Sequence, residues 1–68
     1  MDQEAFNMSI RKFLKVVGVN AQREIEQAVE KAIANGALKG NESFPVKATL
    51  NVAILKLNVG FDGEIRLV

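Results

Sequence analysis

The stretch Leu14-Lys15-Val16-Val17-Gly18-Val19-Asn20 decides the fold, because it joins two helix patterns. Before and into it, Phe6, Ile10, Phe13, Leu14 and Val17 form one apolar stripe at i, i+4, i+7, i+8 and i+11. After it, Ala21, Ile25, Ala28, Val29 and Ala32 repeat that spacing. Such spacing places apolar residues on one face of an α-helix. Gly18 between the stripes suits the left-handed conformation that ends many helices. Asn20 suits the N-cap of a following helix, where its side chain accepts from a free backbone N–H. The stretch therefore predicts a helix over residues 2–17, a short pivot, and a second helix over 20–35. So short a connection makes the helices neighbours with facing stripes. Ala21, Ala28 and Ala32 would leave room for the larger residues of the first stripe.

Charge placement agrees with these boundaries. Asp2 and Glu4 lie at the start of the first pattern and Arg11, Lys12 and Lys15 towards its end. Glu24 and Glu26 lie early in the second and Lys31 late. Each suits the helix dipole, at roughly 0.3–1 kcal/mol per well-placed charge. Asn35-Gly36 supplies a helix stop.

Beyond a polar loop at Lys39–Ser43, the period changes from 3.6 to 2. Val46, Ala48, Leu50 and Val52 alternate with polar residues, predicting a strand over 46–53 with one buried face. Val59, Phe61, Ile65 and Leu67 alternate likewise, predicting a strand over 57–68. The inward set is even-numbered in the first strand and odd-numbered in the second, so a turn or bulge belongs near Ala53–Lys56. The rival turn, Asp62-Gly63, has the stronger hairpin chemistry. It would pair Phe61 with Glu64 and Val59 with Arg66, mixing apolar and charged residues on one face. The preferred reading keeps Gly63 inside one long strand as a bulge or flat spot. The expected fold is α+β, in the order ααββ. It is a single domain over 1–68, with a helical hairpin packed on an antiparallel β-hairpin.

At 68 residues the chain is near the lower size for independent folding. It has no cysteine to staple it and no histidine, so a structural zinc site is not expected. Small folds without such help often associate. The formal charge of +1 is spread evenly, leaving no basic field for nucleic acid or anionic lipid. No run approaches the roughly 20 apolar residues that span a bilayer. The acidic start Met1-Asp2-Gln3-Glu4 has no signal-peptide pattern, so a cytoplasmic location is expected.

The inventory for catalysis is thin. Histidine, cysteine, tyrosine and tryptophan are absent, which removes the commonest general bases, the thiol nucleophile and the usual zinc ligands. Ser9 and Ser43 have no evident activating base. No enzyme activity, catalytic residue, metal or cofactor is expected. The pivot looks like the turn of a DNA-binding helix-turn-helix. However, Glu24 and Gln27 occupy the two positions where that motif places apolar anchors. Glu24, Glu26 and Glu30 would also repel phosphates. A nucleic-acid-binding regulator is therefore the second reading. Arg11, Lys12 and Lys15 read as a solvated face, not a membrane surface.

The stronger signal is apolar excess. Ile54, Leu55 and Leu57 cluster with Phe61 and Val68 in a chain with little core to bury them. A two-stranded sheet is marginal alone and leaves two edges unpaired. These five residues are the expected interaction surface of a non-enzymatic module. The expected partner is a second copy, paired through a strand edge into a four-stranded sheet; another protein is the alternative.

The run Glu4-Ala5-Phe6-Asn7-Met8-Ser9-Ile10-Arg11-Lys12-Phe13-Leu14-Lys15 resembles a family of small uncharacterised proteins, chiefly proteobacterial. So do Val17-Gly18-Val19, Gln22-Arg23-Glu24-Ile25-Glu26, the loop Gly36-x-Leu38-Lys39-Gly40 and the ending Gly63-Glu64-Ile65. The resemblance covers nearly the whole chain and departs around Ala53–Leu57, where a Pro-Gly type turn is expected in relatives. It implies a bacterial, cytoplasmic, stand-alone domain. It implies no activity and no functional residues.

Overall fold

The computed structural model describes residues 1–68, from Met1 to Val68. Helix α1 spans Gln3–Ala34, strand β1 Ser43–Val52, and strand β2 Leu57–Arg66. A single 3-10 turn, Ala53–Leu55, joins the strands. The chain divides into two compact units, Met1–Ala37 and Leu38–Val68.

The expected order ααββ is corrected to αββ. The helical hairpin does not form; one helix of 32 residues runs through Gly18-Val19-Asn20. Two physical reasons account for the difference. Glycine inside a helix costs only about 1 kcal/mol relative to alanine, far less than proline, so it permits a break without forcing one. Asn20, expected to cap a new helix, instead donates from its side-chain amide to the Val16 carbonyl at 2.9 Å. That bond reaches back one turn and ties the two sides of the pivot together. The stripe also keeps its phase across the junction. Val17 to Ala21 is another step of four. From Phe6 through Ile10, Leu14, Val17, Ala21, Ile25 and Ala28 to Ala32, the steps are 4, 4, 3, 4, 4, 3 and 4.

The ends of the helix follow their chemistry. Asp2 is the N-cap, its carboxylate accepting from the backbone N–H of Glu4 at 3.0 Å and of Ala5 at 3.1 Å. Such a cap contributes typically about 1 kcal/mol. At the other end the Asn35 side chain accepts from Ala37 N–H at 3.0 Å. Gly36 takes φ +85°, the left-handed conformation open to glycine, so the Asn35-Gly36 stop stands.

In the second unit the antiparallel register pairs Phe44 with Ile65, Val46 with Gly63, Ala48 with Phe61, Leu50 with Val59 and Val52 with Leu57. Directly opposed residues share a face. One face is therefore apolar throughout. The other carries Ser43 with Arg66, Pro45 with Glu64, Lys47 with Asp62, Thr49 with Gly60 and Asn51 with Asn58. Gly63 lies in the ladder opposite Val46 without shifting the register, which makes it a flat spot and not a bulge. β1 begins at Ser43, earlier than the expected 46, because Pro45 is accommodated within it. β2 ends at Arg66, two residues before the expected end. The turn falls at Ala53–Lys56, as the parity change requires.

That turn contains one strained residue. Lys56 takes φ 53° and ψ 34°, a left-handed conformation costing a side-chain-bearing residue roughly 1–2 kcal/mol. Lys56→Gly is expected to stabilise the hairpin by about 0.5–1 kcal/mol in chemical denaturation. Gly18 has open space where a Cβ would stand. Gly18→Ala is therefore expected to raise helicity and stability by about 0.5–1 kcal/mol. Circular dichroism through thermal unfolding checks this. A loss on Gly18→Ala would show that Gly18 holds a turn after all.

Candidate interaction surfaces

Each unit has one apolar side and no second layer of its own. A lone helix buries nothing against itself, and a two-stranded sheet buries only what its cross-strand pairs share. Correspondingly, no side chain of the chain is buried. On the helix Phe6 is 46% exposed, Ile10 40% and Val17 42%. On the sheet Phe61, in mid-strand on the apolar face, is 58% exposed.

The five residues expected to form an interaction surface do not form one cluster. Ile54 and Leu55 lie in the 3-10 turn and are the turn's outermost apolar side chains, 91% and 68% exposed. Leu57 begins β2 opposite Val52, and Phe61 sits halfway along opposite Ala48. Val68 follows the far end of β2. Leu57 to Val68 spans about 35 Å of extended chain, so Val68 and the turn lie at opposite ends of the hairpin. What Leu57 and Phe61 share is the apolar face, with Phe44, Val46, Leu50, Val59 and Ile65. The signal for these further members is the period-2 alternation of the two strands.

The ladder also fixes which backbone groups point outward. Leu67 N–H donates to the Glu42 carbonyl at 2.9 Å, which makes 42 and 67 a hydrogen-bonded pair. In an antiparallel ladder such pairs alternate with non-bonded ones. The odd-numbered residues of β1 and the even-numbered residues of β2 therefore direct their N–H and C=O groups to the open edges. Pro45 falls in the outward set of β1, where its missing N–H leaves the ladder intact and interrupts that edge. The outward set of β2, from Asn58 to Arg66, has no proline.

Within the second unit, the polar loop ahead of β1 is organised by one carboxylate. Glu42 accepts from the backbone N–H of Lys39 at 2.8 Å, of Gly40 at 2.9 Å and of Asn41 at 3.2 Å. Gly40 takes φ +107°, which helps turn these N–H groups towards one point. The bonds from Lys39 and Gly40 hold the Glu42 carboxyl below the ordinary glutamate range. Turn residues mark the loop in the sequence; the glutamate's role has no sequence signal beyond its position after Gly40-Asn41.

Little on the surface points to chemistry. No group of three or more acids, histidines or cysteines is placed to hold a metal ion. A shallow, open depression is lined by Met8, Ser9, Arg11, Lys12 and Lys15, all from one helix. Continuity of α1 through Gly18-Val19-Asn20 removes the turn on which the helix-turn-helix reading rested. No helix is long and apolar enough to cross a membrane.

The Glu42 arrangement gives a pH dependence with a definite sign. Its folded-state pKa is depressed, so its contribution is present above the unfolded glutamate pKa and lost as pH falls through the folded value. The amide resonances of Lys39 and Gly40 are expected to shift in acid with a midpoint below the ordinary glutamate value. In Glu42→Gln that transition should vanish. A midpoint at the ordinary glutamate value would show that the carboxylate does not anchor the loop.

Comparison with curated proteins and with solved structures found no match. A family model does match, over residues 1–68. The expectation of an uncharacterised family is thereby met, and the chain belongs to the family of unknown function DUF6494.

Proposed function

We propose that this chain is a non-enzymatic interaction module whose first partner is a second copy of itself, joined through the β2 edge. The observation that carries the reading is the hairpin's apolar face, complete from Phe44 with Ile65 to Val52 with Leu57, beside an edge free of proline. Two β2 edges joined about a two-fold axis make a four-stranded sheet, within the usual size range, whereas a lone hairpin is marginal. The same union sets two apolar faces side by side. The residue inventory, with no histidine, cysteine, tyrosine or tryptophan, supports a binding role over a catalytic one. The resemblance to small bacterial proteins supports the bacterial cytoplasm as its setting.

Sedimentation equilibrium over a wide concentration range tests this. A concentration-dependent dimer is the expected result, and a strict monomer overturns the proposal. Asp62→Pro separates the edge from the hairpin. Asp62 N–H points outward, so a proline there spares the ladder and blocks the edge. With one edge bond lost on each protomer and the ring intruding, dimer affinity should fall about tenfold or more. Thr49→Pro, on the β1 edge already interrupted by Pro45, should leave it nearly unchanged. Equal effects of the two would place the contact elsewhere.

A further inference from the structure

Continuity of α1 joins the two halves of its stripe into one seam, and the halves differ in bulk. Phe6, Ile10 and Val17 stand in the first half, and Ala21, Ala28 and Ala32 in the second. Reverse the helix against itself so that facing residue numbers sum to 38. Phe6 then faces Ala32, Ile10 faces Ala28 and Val17 faces Ala21. Leu14 and Ile25 fall within one residue of that register. Every alanine of the seam meets a large side chain, as close packing between facing layers requires. In a parallel pairing, alanine would face alanine along half the seam and Phe6 would face Phe6.

We propose that α1 pairs antiparallel with α1 of a second copy along this seam, in the register that sets bulky residues over alanines. The inference rests on the self-association reading and assigns it a second contact. The seam from Phe6 to Ala32 is about 39 Å long and one helix wide, on the order of 400 Å² in projection. That is about half of what a stable pair takes from each partner, so the seam adds to the β2 edge contact and does not replace it. Phe6, Ile10, Leu14 and Val17 keep 46, 40, 53 and 42% of their surface exposed, so they have area to give. Charge adds a small bias the same way. Arg11, Lys12 and Lys15 outweigh Asp2 and Glu4 in the first half by one charge, and Glu24, Glu26 and Glu30 outweigh Arg23 and Lys31 in the second by one, so antiparallel pairing brings weakly unlike halves together. Most of these charges lie away from the seam, so salt screens this bias and the apolar fit sets the register. The step pattern of 4, 4 and 3 is an 11-residue repeat, at 3.67 residues per turn, which keeps paired helices nearly straight with a slight right-handed coil.

The chain has no cysteine, so Phe6→Cys with Ala32→Cys in one chain introduces the only two thiols. Held about 39 Å apart on one helix, they cannot join within a chain. Oxidation followed by tryptic mapping is expected to give bonds between position 6 of one copy and position 32 of the other. Bonds of 6 to 6 and 32 to 32 would overturn the inference. So would a failure to cross-link while sedimentation shows the unsubstituted chain dimeric, and that result leaves self-association standing. A monomeric unsubstituted chain overturns both.

A size exchange gives an independent readout. Ile10→Ala opens a gap and Ala28→Ile overfills a close contact, so each alone should weaken the dimer about tenfold or more. Together they restore the fit with the sizes exchanged, and affinity should return to within about threefold of the original. Additive losses would overturn the register, provided circular dichroism shows the helix intact in all three variants.

Discussion

A single α-helix and a two-stranded sheet share one constraint: each presents an apolar side and contains nothing to lay against it. Both units of this chain meet that constraint in nearly pure form. The helix carries a continuous seam from Phe6 through Ile10, Leu14, Val17 and Ile25 to Ala32, with Met8, Val16, Val19 and Ile33 lying off it. The hairpin puts every apolar strand residue on one face and every charged one on the other. Local signals are correspondingly strong, because tertiary burial does little to define the elements. Asp2 caps the helix, Asn35-Gly36 closes it, Glu42 gathers the loop and Lys56 turns the hairpin. Association is the physical outcome that such faces invite, since apolar surface left in water forfeits roughly 25 cal/mol for every Å² that burial would recover.

The strands were legible because period-2 alternation has an arithmetic consequence. Even-numbered inward residues in β1 and odd-numbered ones in β2 demanded a parity change, and Ala53–Lys56 supplies it. The Asp62-Gly63 pair has stronger turn chemistry, yet the faces overruled it: a turn there would have placed Glu64 beside Phe61. Segregation of apolar from charged residues along a whole face outweighs the preference of two residues.

The helix was misread for the complementary reason. Gly18 and Asn20 are permissive residues, able to end and begin helices without requiring it. Asn20 used its amide to brace the helix that its oxygen was expected to start. The information that decided the matter lay in phase, not in residue type. A true turn has no reason to preserve helical phase, and the step from Val17 to Ala21 preserves it. Of the expected interaction residues, Leu57 and Phe61 lie on the shared apolar face, whereas Ile54 and Leu55 lie in the turn and Val68 beyond β2; hydrophobicity alone carries no register that would separate them.

Pro45 has a significance beyond its own strand. A hairpin with two equivalent open edges can add copies at both, and addition at both edges builds a ribbon without end. Pro45 removes a donor near the start of β1's outward row, while β2's row is whole. An object that is adhesive on one side only joins once and is finished. In the proposed dimer the proline would act as a terminator of growth, leaving one edge to pair and the other to stay single.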